Sequence, residues 1–212
     1  MKKRIYFVRH GETDCNNKNL IQGRGVNAPL NALGQQQAEA FYQHYKLVPF
    51  DKVYTSSLQR THQSMAPLIK SGIPHEILSG FDEMDFGTME GKAMFDANGA
   101  FVLENLFVQW RKNNGDAKVD GGESPNEVQA RMKKALEVVL AEKSESNVVV
   151  CMHGRALRIL MCHLMGQPIS QMENFFHPNL STSIFDYDYG TETFNPVCIA
   201  STEHLQALKV CV

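Results

Sequence analysis

The sequence predicts an α/β fold: a three-layer sandwich with a mostly parallel central sheet and helices on both faces. Three observations carry this. Ile5-Tyr6-Phe7-Val8 and Val148-Val149-Val150-Cys151-Met152 are unbroken apolar runs, the pattern of strands buried on both faces. Around them, short strand-like stretches alternate with segments of helical apolar spacing, the order of a layered α/β protein. No repeat, low-complexity tract or linker divides the 212 residues, so 1–212 reads as one domain.

The first strand runs straight into Arg9-His10, and Gly11 gives the backbone a tight exit. Residues 13 to 29 are polar and Gly-rich, a long loop of the kind that often carries function. Asn31 is placed to cap a helix with Leu33, Ala38, Phe41 and Tyr45 on one face. Asp51 to Thr55 is a short second strand, and Ser57 can cap the helix carrying Leu58, Met65, Leu68 and Ile69. Ile73 to Leu78 is a third strand, placed at an edge by Pro74.

Phe81 to Gly91 is acidic and bounded by glycines, a structured loop. Residues 92 to 114 read as helix, with Phe95, Val102, Leu106 and Trp110 as core candidates. The stretch 84–122 is expected as an insertion able to roof the active site. Ser124-Pro125-Asn126-Glu127 is a helix start with Ser at N-cap, Pro at N1 and Glu at N3, continued by Val128, Met132, Leu136, Val139 and Leu140. The strand 147–152 leads into His153-Gly154 and a helix from Ala156 to Met165, stopped by Gly166 and Pro168. Ser181 to Ala200 reads as a hairpin around Gly190 at one side of the sheet.

Composition narrows the function. At 43% hydrophobic, 21% charged and a net charge of −2, the chain is globular, and nothing favours nucleic acid or an anionic membrane as partner. Five cysteines without a CxxC suit a reduced, cytoplasmic protein. Met1-Lys2-Lys3-Arg4 has the charge of a signal peptide's start, but only four apolar residues follow, and no stretch is long enough to span a bilayer.

Three strand ends carry related cargo. The first delivers Arg9 and His10; the second leads to Arg60 in the first turn of a helix; the strand 148–152 delivers His153. With parallel strands and right-handed crossovers, all emerge on one sheet edge. Two Arg and two His beside helix N-termini attract anions, and the Arg fork matches phosphate oxygens. Imidazole adds a neutral nucleophile near neutral pH. Glu83, in the acidic loop, is the candidate acid for a leaving alcohol.

Arg9-His10-Gly11-Glu12-Thr13 with Asn16, Gln22-Gly23, Ser57-Leu58-Gln59-Arg60, Glu83 with Phe86-Gly87 and Glu90-Gly91, and His153-Gly154 resemble, in order, the histidine phosphatase superfamily, phosphoglycerate-mutase-like branch. The resemblance implies a phosphohistidine mechanism without metal or organic cofactor. His10 would accept the phosphoryl group. Arg9, Arg60 and His153 would bind its oxygens, assisted by Asn16, Gln22, Gly23 and Gly154. Glu83 would protonate the leaving group and then activate water, and the partner is a small phosphate ester.

Members with strong mutase activity resemble one another in a longer, basic insertion between the acid and the second His. Here residues 84 to 152 are short and place few basic residues near the motif, which favours a phosphatase over a cofactor-dependent phosphoglycerate mutase. The short insertion and Gly121-Gly122-Glu123-Ser124 also resemble α-ribazole-phosphate phosphatases and broad-specificity phosphatases. A non-catalytic phosphate-binding module would not need intact His10, Glu83 and His153. The sequence is silent on oligomeric state, a dimer being one option.

Cys151-Met152-His153 with Cys162-His163 fits no structural zinc spacing. Gln22-Gly23-Arg24-Gly25 follows no strand and opens no helix, so it is not a nucleotide-binding glycine motif. His44, His62, His75, His163, His177 and His204 fall in no motif and are expected to be solvated or packed.

Overall fold

The apolar runs become the two central strands of a six-stranded sheet. In the computed structural model, which describes residues 1–209, the strands are β1 (Lys2–Arg9), β2 (Lys52–Thr55), β3 (His75–Ile77), β4 (Asn147–Met152), β5 (Thr182–Asp188) and β6 (Thr193–Ser201). Their order is β3-β2-β4-β1-β5-β6. The first four are mutually parallel, and the β5–β6 hairpin lies antiparallel against β1. β3 takes the edge, as a strand preceded by Pro74 requires. Cys211 lies outside the described residues.

The helices are α1 (Asp14–Asn17), α2 (Ala32–Tyr45), α3 (Gln59–Lys70), α4 (Glu104–Arg111), α5 (Pro125–Ala141), α6 (Gly154–Leu164) and α7 (Gln206–Lys209). Strand periodicity decides which face each covers. Ile5, Phe7, Val148 and Val150 pack with Val128 and Met132 of α5 and Leu157 and Leu160 of α6. Tyr6, Val8, Val53, Val149 and Cys151 pack on the other face with Phe41 of α2 and Met65 and Leu68 of α3. Each side chain of this size contributes roughly 1.5–3 kcal/mol when fully buried. Helices therefore cover both faces, which gives the three layers.

Local signals set the helix starts. Asn31 accepts the Gly34 N–H at 2.9 Å. Ser124 and Glu127 close a reciprocal capping box, with Pro125 as the first helical residue. Three expectations need correction. Ser57 does not cap α3, because its N–H and Oγ both bond Asp82 at 2.8 Å. The loop 13–29 contains one helical turn, α1, because Thr13 and Asn16 form a capping box.

The helix expected over 92–114 is confined to Glu104–Arg111. Upstream, Asp96 Oδ1 accepts the N–H groups of Asn98 and Ala100, and Gly99 sits at φ +77°, a turn that helix cannot continue through. Trp110 is core, but Phe95 and Val102 are exposed.

Candidate active site

β1 and β4 end side by side, with Arg9 opposite Met152, so their next residues meet. His10 donates its N–H to the Met152 carbonyl at 3.0 Å, and the rings of His10 and His153 lie 5.2 Å apart. His10 Nδ1 lies 2.7 Å from the Gly11 carbonyl. A carbonyl only accepts, so Nδ1 carries the proton and Nε2 keeps its lone pair. Burial, and then the charges of Arg60 and Arg9, hold the His10 pKa well below its ordinary value.

His153 is fixed as the opposite tautomer. Its Nδ1 accepts from Arg60 Nε at 3.1 Å, so the proton sits on Nε2 and is donated to Ser56 Oγ at 2.7 Å. Arg60 is completely buried and also donates to the carbonyls of Val26 and Gly23. Three of its five N–H groups are thereby used. Burial lowers the guanidinium pKa of Arg9 and of Arg60 to about 10, so both stay charged at neutral pH.

Glu83 is positioned by backbone. Its Oε1 accepts the N–H groups of Met84 and Ala156, both at 2.9 Å, and its Oε2 that of Arg155 at 3.0 Å. Two of these donors belong to the first turn of α6, where the helix dipole favours a carboxylate. Arg131 of α5 clamps the loop by donating to the carbonyls of Gly80, Asp82 and Glu83, and its fork also grips Glu123.

Arg9, His10, Asn16, Gln22, Glu83 and Gly154 line one cavity of about 420 Å³. Arg9 donates to the His177 carbonyl at 2.7 Å, while its buried Nε has no protein partner. A Cβ on Gly154 would sit 3.2 Å from that Nε, so the residue after His153 must be small for Arg9 to lie over it. Asn16 Oδ1 is taken by Thr13 and Asn179, and Gln22 Oε1 by Thr13. Gln22 Nε2 is buried without a partner. Arg60, His153 and Gly23 are not among the residues that line it, and the Gly23 carbonyl is bound to Arg60.

Other motif residues brace the site. Glu12 Oε1 accepts from Asn31, which ties the β1 exit to the start of α2. Glu90 accepts the Phe86 N–H and presses on Gly23 and Gly25, where side chains would collide with its carboxylate.

Sequence reasoning missed Ser56, Arg131 and Asn179. Asn179 donates to the His10 carbonyl at 3.1 Å and holds Asn16. The available signal was its position just before a strand that runs antiparallel to β1, which returns the chain to the β1 end. His177, expected only to be solvated or packed, is buried and is among the residues that line the cavity.

Relatives are similar to the chain in sequence and in fold. A Proteus mirabilis protein named as a probable phosphoglycerate mutase is 31% identical over 189 residues, covering 86% of this chain and 84% of its own. The broad-specificity phosphatase YOR283W of Saccharomyces cerevisiae is 27% identical over 212 residues, covering 95% and 87%. The solved structure of the Bacillus stearothermophilus protein YhfR has the same fold, with a TM-score of 0.83 at 23% identity and coverage of 96% and 100%. The model of the histidine phosphatase superfamily, branch 1, matches residues 5–198, and the chain belongs to that superfamily.

Proposed function

We propose that the protein is a phosphomonoesterase that hydrolyses a small phosphorylated metabolite through a phosphohistidine on His10. The observation that carries this is the His10 tautomer. The Gly11 carbonyl holds the proton on Nδ1, which leaves Nε2 as a neutral nucleophile in a pocket of cationic and amide donors. Nε2 attacks phosphorus, the N–P bond forms and the P–O bond to the alcohol breaks. Arg9 Nε, Gln22 Nε2 and the Asn16 amide donate to the phosphoryl oxygens. Arg60 supplies positive charge from behind, oriented by neutral His153, with the amides at Gly23 and Gly154 assisting.

Glu83 gives its proton to the departing oxygen. Oε2, which accepts a single backbone N–H, is the oxygen with room to carry it. Water then attacks phosphorus, Glu83 takes back a proton, and the N–P bond breaks to release phosphate. No metal or organic cofactor enters this sequence.

The alternative is a phosphoglycerate mutase, the name carried by several relatives at 31–32% identity. There a second substrate hydroxyl would collect the phosphoryl group in place of water. Hydrolysis is favoured because the segment 84–122, which we propose roofs the site, lines the cavity with Phe86, Met94, Phe101, Leu103 and Phe107 and brings no basic side chain to it. The test is to measure free phosphate release against 3- to 2-phosphoglycerate interconversion. Phosphate release across a panel of esters is expected to dominate, and dominant interconversion would overturn the assignment.

A further inference from the structure

Gly121-Gly122-Glu123-Ser124, just before α5, takes no part in the phosphoryl chemistry. It packs instead against the loop that carries Glu83. Gly122 comes so close that a Cβ there would lie 2.7 Å from the Asp85 carbonyl. Glu123 then holds Asp85 by both of its backbone polar groups. The Glu123 N–H donates to the Asp85 carbonyl at 2.9 Å, and Glu123 Oε2 accepts the Asp85 N–H at 3.0 Å. Ser124 caps α5, which fixes Arg131 about two turns further on.

Glu123 and Arg131 form a bidentate pair, in which Arg131 Nε meets Oε1 and Nη2 meets Oε2, both at 2.9 Å. The remaining three N–H groups of the fork go to the Gly80, Asp82 and Glu83 carbonyls at 2.8–2.9 Å. All five donors of the guanidinium are therefore used. Both side chains are only 18% exposed, so the pair is largely shielded from water. A lysine could not replace this fork, because a point charge on a flexible stem does not hold five fixed directions. The loop backbone is thus gripped at Asp82, Glu83 and Asp85. From the other side, the N–H groups at the start of α6 hold the Glu83 carboxylate. The acid sits between two helices, with α5 fixing its main chain and α6 its carboxylate.

We propose that Glu123 and Arg131 are positioning residues for the acid: they set the placement of the Glu83 carboxyl against the departing oxygen, and so govern cleavage of esters whose alcohols leave poorly. This rests on the phosphatase reading and extends it to a pair that does not line the cavity. The consequence is selective. An alkoxide leaves only with a proton, whereas a nitrophenolate leaves without one. Displacing Glu83 therefore slows the first reaction and spares the second. A pair that merely stabilised the fold would lower both rates together.

The experiment measures kcat/KM for phosphate release from benzyl phosphate and from 4-nitrophenyl phosphate, since this constant reports transition-state stabilisation from free enzyme and ester. Parent protein is compared with Glu83→Gln, Arg131→Lys and Glu123→Gln. Glu83→Gln should lose on the order of a hundredfold in the benzyl-to-nitrophenyl ratio, the contribution of a placed acid. Arg131→Lys and Glu123→Gln should each lose roughly tenfold in that ratio, the scale of a sub-ångström misplacement. Added to Glu83→Gln, neither should change it further, because both act through Glu83. The ratio within one variant does not depend on how much of the protein folds, so a destabilised variant still gives an answer. A ratio that neither Arg131→Lys nor Glu123→Gln moves, or one that falls further on the Glu83→Gln background, overturns the positioning role. An unchanged ratio in Glu83→Gln would contradict Glu83 as the acid, and the proposal with it. Absence of phosphate release from either ester by the parent protein would contradict the phosphatase reading on which both rest.

Discussion

At the residue scale, two histidines a few ångströms apart are given different jobs by one hydrogen bond each. The Gly11 carbonyl can only accept, so His10 presents a free Nε2; the Arg60 guanidinium can only donate, so His153 turns its Nε2 proton to Ser56. Burial and two nearby guanidinium groups disfavour the charged form of His10 and lower its pKa. The sign follows directly: the neutral nucleophile persists below pH 6.5, where an ordinary histidine is half protonated. Corrected for the ester's own ionisation, kcat/KM should hold its plateau as pH falls from about 7 to about 6. An acid limb centred near 6.5 would show that His10 titrates as an exposed imidazole. Arg9, His10, Arg60 and His153 were readable from sequence because each lies next to a strand end or a helix start. Ser56 and Arg131 were not, because hydroxyl and guanidinium partners across the sheet leave no local periodicity.

At the scale of elements, the β1 exit and the start of α2 approach backbone to backbone. Gly11 does not have a positive φ; it is needed because a Cβ there would lie 2.7 Å from the Gly34 carbonyl and 2.9 Å from Leu180. Conversely, a Cβ on Gly34 would lie 2.1 Å from the Glu12 carbonyl. In an exposed helix Gly→Ala is favourable by up to about 1 kcal/mol. Here Gly34→Ala must push α2 off the β1 exit loop, an overpacking cost of about 1–3 kcal/mol. The urea midpoint should fall, with kcat/KM falling too, because the displaced loop carries Asn16 and the His10 carbonyl. A midpoint at or above that of the parent protein would refute the close-contact reading. Strong caps at Asn31 and Ser124 were legible as local chemistry. The broken helix at 92–103 was not, because the Asp96 side chain competes for backbone N–H groups and overrides an apolar spacing that looked helical.

At the scale of the whole molecule, the fold and the site share one cause. Apolar runs buried on both faces force β1 and β4 into adjacent parallel positions, and parallel pairing sends both of their polar successors to one edge. That edge then gathers Glu83 through the start of α6, and Asn179 through the hairpin that returns beside β1. Layer order and the main chemical groups were therefore legible from patterns along the chain. Most of the cavity's wall was not, because it is assembled from α6, the segment 84–122 and the turn before β5, which meet only in three dimensions.

The central claim is that His10 carries the phosphoryl group. Protein mixed with a radiolabelled phosphomonoester should be quenched within one turnover, digested and mapped. The account predicts an acid-labile, base-stable label on the peptide containing His10, absent after His10→Ala, with turnover reduced by at least about ten-thousandfold. Turnover that survives His10→Ala, or label found on another residue, would contradict it.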